Sequence, residues 1–306
     1  MQVLDASRLS AHEFLAAART SGSRRRDLGK DILEKGVEVL RRLGGLSLAS
    51  GLKEGEEWSI REQVVLAAMD SDKVSAAATA EKELKAIERE FPDSARAMRL
   101  RAMWEEHCGN WPKADAIYAK LIEKNPSNTW AMKRRAAVLK ARGRIDDAIA
   151  ALVDFLGEFH ADVGAWMELS QLYIRQGNIA SALFCCEEVL IAQPEHYVAN
   201  LLCAELLFTL GGADNQQNAR KYFSQSLLMK RKGNIRAAWG LATTSFSLAD
   251  TKGGLKSADG GTEKNKKLFK LAAAELDEAY DAPGVPKGMK ELVHNVINSQ
   301  RDVIQG

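Results

Sequence analysis

Residues 165–194 read AWMELSQLYIRQGNIASALFCCEEVLIAQP. Five landmarks stand out: Trp166, Leu169, Tyr173, Ala182 and Pro194. The small residue has counterparts at a fixed interval, because Ala80, Ala114, Ala148 and Ala182 are each 34 residues apart. Four residues after each comes a larger one: Leu84, Tyr118, Leu152 and Cys186. Pro92, Pro126 and Pro194 keep the same interval, with His160 at the step without a proline. One such segment would be weak evidence; four in one register are a repeat.

This pattern resembles the tetratricopeptide repeat, whose unit is two antiparallel helices. The small residue lets the second helix approach the first. The large residues fill the gap, and the proline stops the second helix. A unit cannot bury its apolar face alone, so units stack, and each buried Trp or Leu contributes roughly 1.5–3 kcal/mol. The other copies have lost parts of the pattern. Val64, Met98, Met132 and Asn200 stand at the Trp position, and Arg101-Ala102 and Arg135-Ala136 stand where Leu-Gly is usual. The units fall at about 61–94, 95–128, 129–162, 163–196 and 197–233. The fifth carries about three extra residues in LGGADNQQNARKYF, which moves its small and aromatic residues to Ala219 and Phe223.

The expected fold is therefore all-α: a right-handed tetratricopeptide solenoid of about five to six helix pairs with flanking terminal helices. Residues 1–57 form an N-terminal helical extension and Gly-rich linker, 58–250 the array, 251–262 a flexible loop, and 263–306 C-terminal helices that cap the array. Ser10-x-x-Glu13 fits a capping box. A helix is expected over about 27–43, followed by the break GGLSLASGLKEGEE, and Trp58 to Met69 opens the array. A degenerate sixth unit has helices at about 235–248 and 264–280, separated by TKGGLKSADGGTE. APGVP at 282–286 breaks the chain before a last helix at about 287–304. Val and Ile recur at helical spacing, so no strand is expected.

Composition narrows the function. Lys plus Arg is 43 against 41 for Asp plus Glu, a net charge of +2, so the whole chain offers a nucleic-acid polyanion no attraction. The clusters Arg24-Arg25-Arg26, Lys133-Arg134-Arg135 and Lys230-Arg231-Lys232 are short and read as solvated helix faces. The longest apolar run, 198–210, is interrupted by Asn200 and Glu205 and is too short to span a bilayer. The N-terminus MQVLDASRLSAHEF does not read as a signal peptide. Cys108, Cys185, Cys186 and Cys203 form no C-x-x-C and read as reduced core thiols.

No catalytic, cofactor or metal motif emerges. His12, His107, His160, His196 and His294 are dispersed, and His160 and His196 fall at helix ends where a turn role is natural. The pairs Asp146-Asp147 and Glu187-Glu188 read as solvated or helix-terminal charges. There is no phosphate-cradling Gly-rich loop and no nucleophile elbow. Binding is the remaining reading. In such an array positions 2, 5, 9 and 12 of each first helix face a groove. They hold Glu62, Val65, Met69 and Asp72 in the first unit, and Arg96, Arg99, Met103 and Glu106 in the second. The third has Trp130, Lys133, Ala137 and Lys140, the fourth Gly164, Met167, Gln171 and Ile174, and the fifth Val198, Leu201, Glu205 and Phe208. The candidate partner-binding residues are Arg96, Arg99, Met103, Trp130, Lys133, Lys140, Met167, Gln171, Ile174, Leu201 and Phe208. That groove is basic in its middle and apolar toward its C-terminal half, which suits an amphipathic or acidic peptide. The competing reading packs some of these apolar residues against the chain's own terminal helices.

Several segments resemble the subunit 2 family of the ER membrane protein complex: 125–149, 165–190 and 211–241, with EQVVLAAMD (62–70) and EFPDSARAMRL (90–100). Leu183-Phe184-Cys185 with Glu187-Glu188, and the Gly-Gly turn before ARKYF, are more specific than the generic repeat. The resemblance implies a cytosol-facing, peripheral scaffold subunit of a membrane insertase in the endoplasmic reticulum. Such a complex inserts tail-anchored proteins and certain segments of multipass proteins. The implied partners are membrane-embedded subunits and another soluble subunit. No catalytic residue, cofactor or metal carries over, and membrane association would be indirect, through those partners. An alternative is a soluble adaptor that grips chaperone or other peptides. Such adaptors place Lys and Asn at groove positions 5 and 9, where this chain has Val65 and Met69, then Arg99 and Met103. A second alternative is an enzyme subunit built on helical pairs, whose own repeat pattern is missing here.

Overall fold

The computed structural model describes residues 9–20, 28–43, 55–71, 74–250 and 261–305. These form fifteen α-helices and no strand. Contacts divide the chain into two compact units, residues up to 148 and residues from 149 on. The first holds α1 (Ala11–Thr20), α2 (Gly29–Leu43), α3 (Glu56–Met69), α4 (Val74–Glu90), α5 (Ala95–His107), α6 (Trp111–Lys124) and α7 (Thr129–Ala141). The division falls inside α8 (Ile145–Glu158). The second unit continues with α9 (Val163–Arg175), α10 (Ile179–Ala192), α11 (Tyr197–Leu210), α12 (Ala213–Met229), α13 (Ile235–Asp250), α14 (Gly261–Asp281) and α15 (Lys287–Gln305). The basic cluster at 24–26, residue 27 of the first expected helix, the break at 44–54 and the Gly-rich stretch 251–260 lie outside the described residues.

The helix boundaries are written into the chain at the repeat interval. Ser94, Asn128, Asp162 and His196 are 34 residues apart, each two residues after the proline position, and each caps a first helix. Their side chains accept from the backbone N–H of Ala97 (3.5 Å), Ala131 (3.1 Å), Ala165 (2.9 Å) and Ala199 (3.0 Å). An Asn, Asp or Ser cap is worth about 1 kcal/mol, because it satisfies a donor the helix leaves open. His196 does the same with Nδ1, which gives its expected turn role a concrete form. The turn between paired helices is also periodic. At Gly177 the backbone is left-handed (φ 74°), where only glycine escapes a Cβ clash. Gly177 N–H donates to Ile174 at 3.0 Å and Asn178 N–H to Tyr173 at 2.9 Å, the Schellman closure. Gly109 and Gly143, at the same interval, make the same pair of bonds.

The small residues do what their spacing predicts. Ala80, Ala114, Ala148 and Ala182 have no exposed surface, and the same holds for Leu84, Tyr118 and Cys186. Leu152 is 1% exposed. The three-residue shift in the fifth unit holds too, with Ala219 and Phe223 buried. In the first unit Phe14, Leu15, Ile32, Ile60 and Val64 tie α1 to α2 and α3. The Ser10–Glu13 capping box opens α1: Ser10 N–H donates to Glu13 Oε2 at 3.0 Å, and Glu13 N–H to Ser10 Oγ at 3.3 Å. In the second unit α11 to α15 share one core of Leu201, Phe223, Leu241, Phe269, Leu276, Val293 and Ile297. The last helix packs on α13 and α14 through Val293 and Ile297.

Two helical glycines meet opposite surroundings. A Cβ on Gly240 would stand 2.2 Å from the Phe223 ring, whereas one on Gly157 would meet nothing within 4 Å. Alanine favours a helix interior over glycine by about 1 kcal/mol, and overpacking costs about 1–3 kcal/mol. Gly240→Ala should lower the urea midpoint, and Gly157→Ala should hold or raise it. The reverse order in circular dichroism melts would contradict this packing.

Candidate partner-binding surface

In the first unit the candidate cations are tied to neighbouring first helices. Arg96 on α5 pairs with Glu62 on α3. The Arg99 guanidinium lies over the Trp130 ring, 4.1 Å from its centroid, which joins α5 to α7. Glu106 accepts from both Arg134 of α7 and the hydroxyl of buried Tyr118 on α6. Burial, then the bond to Glu106, pushes the Tyr118 hydroxyl well above the ordinary tyrosine range. Met103, Trp130, Lys133 and Lys140 are half-buried, and Lys133 and Lys140 have contacts within the chain as well. Arg96 and Arg99 remain exposed at the surface of these links. The basic middle is thus a set of helix-to-helix ties with cationic outer faces, not a row of unengaged charges.

The second unit corrects one assignment. Leu201 is only 6% exposed and belongs to the core with Ala204, Leu207 and Phe223, so no partner reaches it. Position 5 of that helix turns inward because α13 packs on α11. Met167 is half-buried, and Ile174 is half-buried against Ala182, Cys186, Cys203 and Leu206. Gln171 and Phe208 are exposed. Glu205 takes Arg236 of α13 through two bonds, at 3.0 and 2.6 Å. The apolar surface at these positions is therefore narrower than the sequence alone implies.

The lost repeat residues have been replaced by polar contacts that keep the helices in place. Arg101, at a Leu position, reaches Glu88 at 2.5 and 2.7 Å and Glu81 at 3.0 Å, both on α4. Arg135, at the next Leu position, pairs with Asp115 on α6 at 2.9 Å. Asn200 stands where Trp166 stands one unit earlier. The Trp166 indole N–H donates to the His160 carbonyl at 2.8 Å, and Asn200 Nδ2 donates to the Pro194 carbonyl at 3.1 Å. In both cases the acceptor lies six residues back, so the asparagine keeps the hydrogen bond and gives up the ring.

The thiols need one correction as well. Cys185, Cys186 and Cys203 are buried and free, but Cys108 is exposed at the end of α5. Burial pushes the Cys185 thiol up to about 12. The contact with Cys186, then burial, raises Cys203 further, so these two thiols stay protonated. Among the described residues no group of three or more His, Cys, Asp or Glu is placed to hold a metal ion. None of their helices is long and apolar enough to cross a membrane.

Comparison with known proteins gives the family. The family model of the EMC2 TPR-like repeat domain matches residues 88–228. The chain is 36% identical over 227 residues to ER membrane protein complex subunit 2-A of Xenopus laevis, covering 74% of each chain. It is 35% identical over 244 residues to ER membrane protein complex subunit 2 of Xenopus tropicalis, covering 77% of this chain and 81% of the relative. The chain belongs to the ER membrane protein complex subunit 2 family. The fold alone is shared with the C-terminal part of a TPR repeat-containing protein from Cytophaga hutchinsonii, at a TM-score of 0.59 and 14% identity over 85% of this chain and 95% of that one. The family match spans the caps, the periodic glycines and the α5–α7 ties described above.

In this family member the Arg101 cluster makes a pH prediction. Burial raises the Glu81 carboxyl, but the hydrogen bonds and fields of Arg101 and then Lys85 together outweigh it and hold the group below the usual carboxylate range. Such a group adds stability that is complete above its unfolded pKa and is lost as pH falls through the folded one. Arg101→Met should therefore destabilise more at about pH 7 than at about pH 3. Equal losses in urea unfolding at both pH values would contradict the pairing.

Proposed function

We propose that this chain is a non-catalytic scaffold subunit of an ER membrane protein complex. In this reading it sits on the cytosolic face of the endoplasmic reticulum membrane, held there by membrane-embedded and soluble partner subunits. Its role is to support insertion of tail-anchored and multipass proteins. The carrying observation is 36% identity to a named subunit 2 over 74% of that relative. Stacked helix pairs that offer surfaces support a binding role over a catalytic one. In this reading the helices up to residue 250 serve as the array and those from Gly261 on as its cap.

The partner contacts are assigned to the first-helix faces of each unit. In the first unit these are Arg96, Arg99, Met103, Trp130, Lys133 and Lys140, where cationic outer faces over an aromatic ring suit an acidic or amphipathic segment. In the second they are Met167, Gln171, Ile174 and Phe208. The chaperone-adaptor alternative is disfavoured by a specific feature: Val65, at a clamp position, has no exposed surface and cannot grip a carboxylate.

The test is affinity recovery of the tagged chain from membranes in mild detergent. A stoichiometric set of multispan endoplasmic-reticulum proteins is expected with it. Arg99→Glu combined with Lys133→Glu should reduce that set while helical circular dichroism stays unchanged. Recovery of soluble chaperones alone would overturn the scaffold reading, and undiminished recovery with the double variant would overturn the assignment of the face.

A further inference from the structure

We propose that a cleft between α8, α9 and α10 is a second docking site, built for an amphipathic helix of another protein whose apolar stripe is flanked by Lys or Arg. The cleft has a volume of about 620 Å³, and Val153, Gly157, Trp166, Tyr173 and Phe184 are among its lining residues. It lies on a different face of α9 from Met167, Gln171 and Ile174, so it is separate from the first-helix surface. The Leu183-Phe184-Cys185 and Glu187-Glu188 motif, which the repeat does not require, falls at its edge.

Four observations set the occupant. Large apolar side chains line the opening, with Phe184 55% and Val153 46% exposed. Phe184 meets the Trp166 ring edge-on at 6.0 Å, giving a continuous aromatic wall. Gly157 lies in the last turn of α8, and nothing in this chain occupies the space its Cβ would take. A bare backbone at that point admits close approach by another helix. Finally, residues 149–192 carry six carboxylates and a single base, Arg175, a net charge of −5 in a chain whose total is +2. Asp154 and Glu158 follow Val153 and Gly157 directly, and Glu187 is one turn from Phe184. All three are exposed and make no ion pair among the described residues. An apolar cleft inside an acidic rim is complementary to an apolar stripe with basic flanks. The proposal does not rest on the first-helix contacts or on complex membership, so each can fail alone.

The test uses the full chain and two fluorescent synthetic peptides of about 18 residues, five helical turns. Both carry the same Leu stripe, one flanked by Lys and one by Glu. In fluorescence anisotropy the Lys peptide should bind saturably and weaken with added salt, and the Glu peptide should bind at least about tenfold more weakly. Phe184→Glu, at an exposed position, and Gly157→Leu, which fills the cleft, should each weaken the Lys peptide by about tenfold or more. Normal circular dichroism of both variants separates this loss from unfolding. Equal binding of the two peptides, no binding of either, or binding indifferent to both variants would overturn the proposal. So would concentration-dependent dimerisation in sedimentation that Phe184→Glu abolishes, since the occupant would then be a second copy.

Discussion

A pair of amphipathic helices has more apolar surface than it can close by itself. That constraint governs this chain. Each pair must bring its second helix close to its first and then offer the remaining face to the next pair. The close approach depends on a side chain no larger than a methyl group at Ala80, Ala114, Ala148 and Ala182, all without exposed surface. The capping residues and the left-handed glycines then fix where each helix starts and stops, so that the small residue meets its partner helix in register.

Within that frame the chain tolerates large departures from the repeat by replacing one kind of contact with another. Leucine becomes arginine at 101 and 135, and each arginine is held by carboxylates on the preceding helix. Tryptophan becomes asparagine at 200 and keeps the bond to the carbonyl six residues back. Links such as Arg99 over Trp130 have two aspects. Their inner sides join successive first helices, and their outer sides remain cationic. An array of helix pairs made this way presents charge without leaving that charge unsupported.

Much of this was legible in the sequence. The 34-residue interval placed the small and large core residues and the insertion at the fifth unit, while the Gly-rich stretch and the APGVP break placed the last three helices to within three residues. The caps at 94, 128, 162 and 196 and the glycines at 109, 143 and 177 recur at the same interval, but their residue types vary or are common, and only their hydrogen bonds show what they do. The surface was less legible. Groove positions are assigned by helical phase, and phase alone does not show that α13 covers Leu201 or that Glu62 takes Arg96. Cys108 looked like its buried counterparts, yet it sits at a helix end where no neighbour covers it. The cleft beside Phe184 involves three helices and a glycine whose significance is the empty space above it, which no one-dimensional pattern records.

The proposed role requires stacked helix pairs in this chain to serve as surfaces on which other subunits assemble. A cryo-electron microscopy map of the assembly isolated through this chain from endoplasmic-reticulum membranes tests it most directly. Density from other subunits is expected against the Arg99, Trp130 and Lys133 face of α5 and α7. A map in which that face is open to solvent, with the chain held only through its terminal helices, would contradict it.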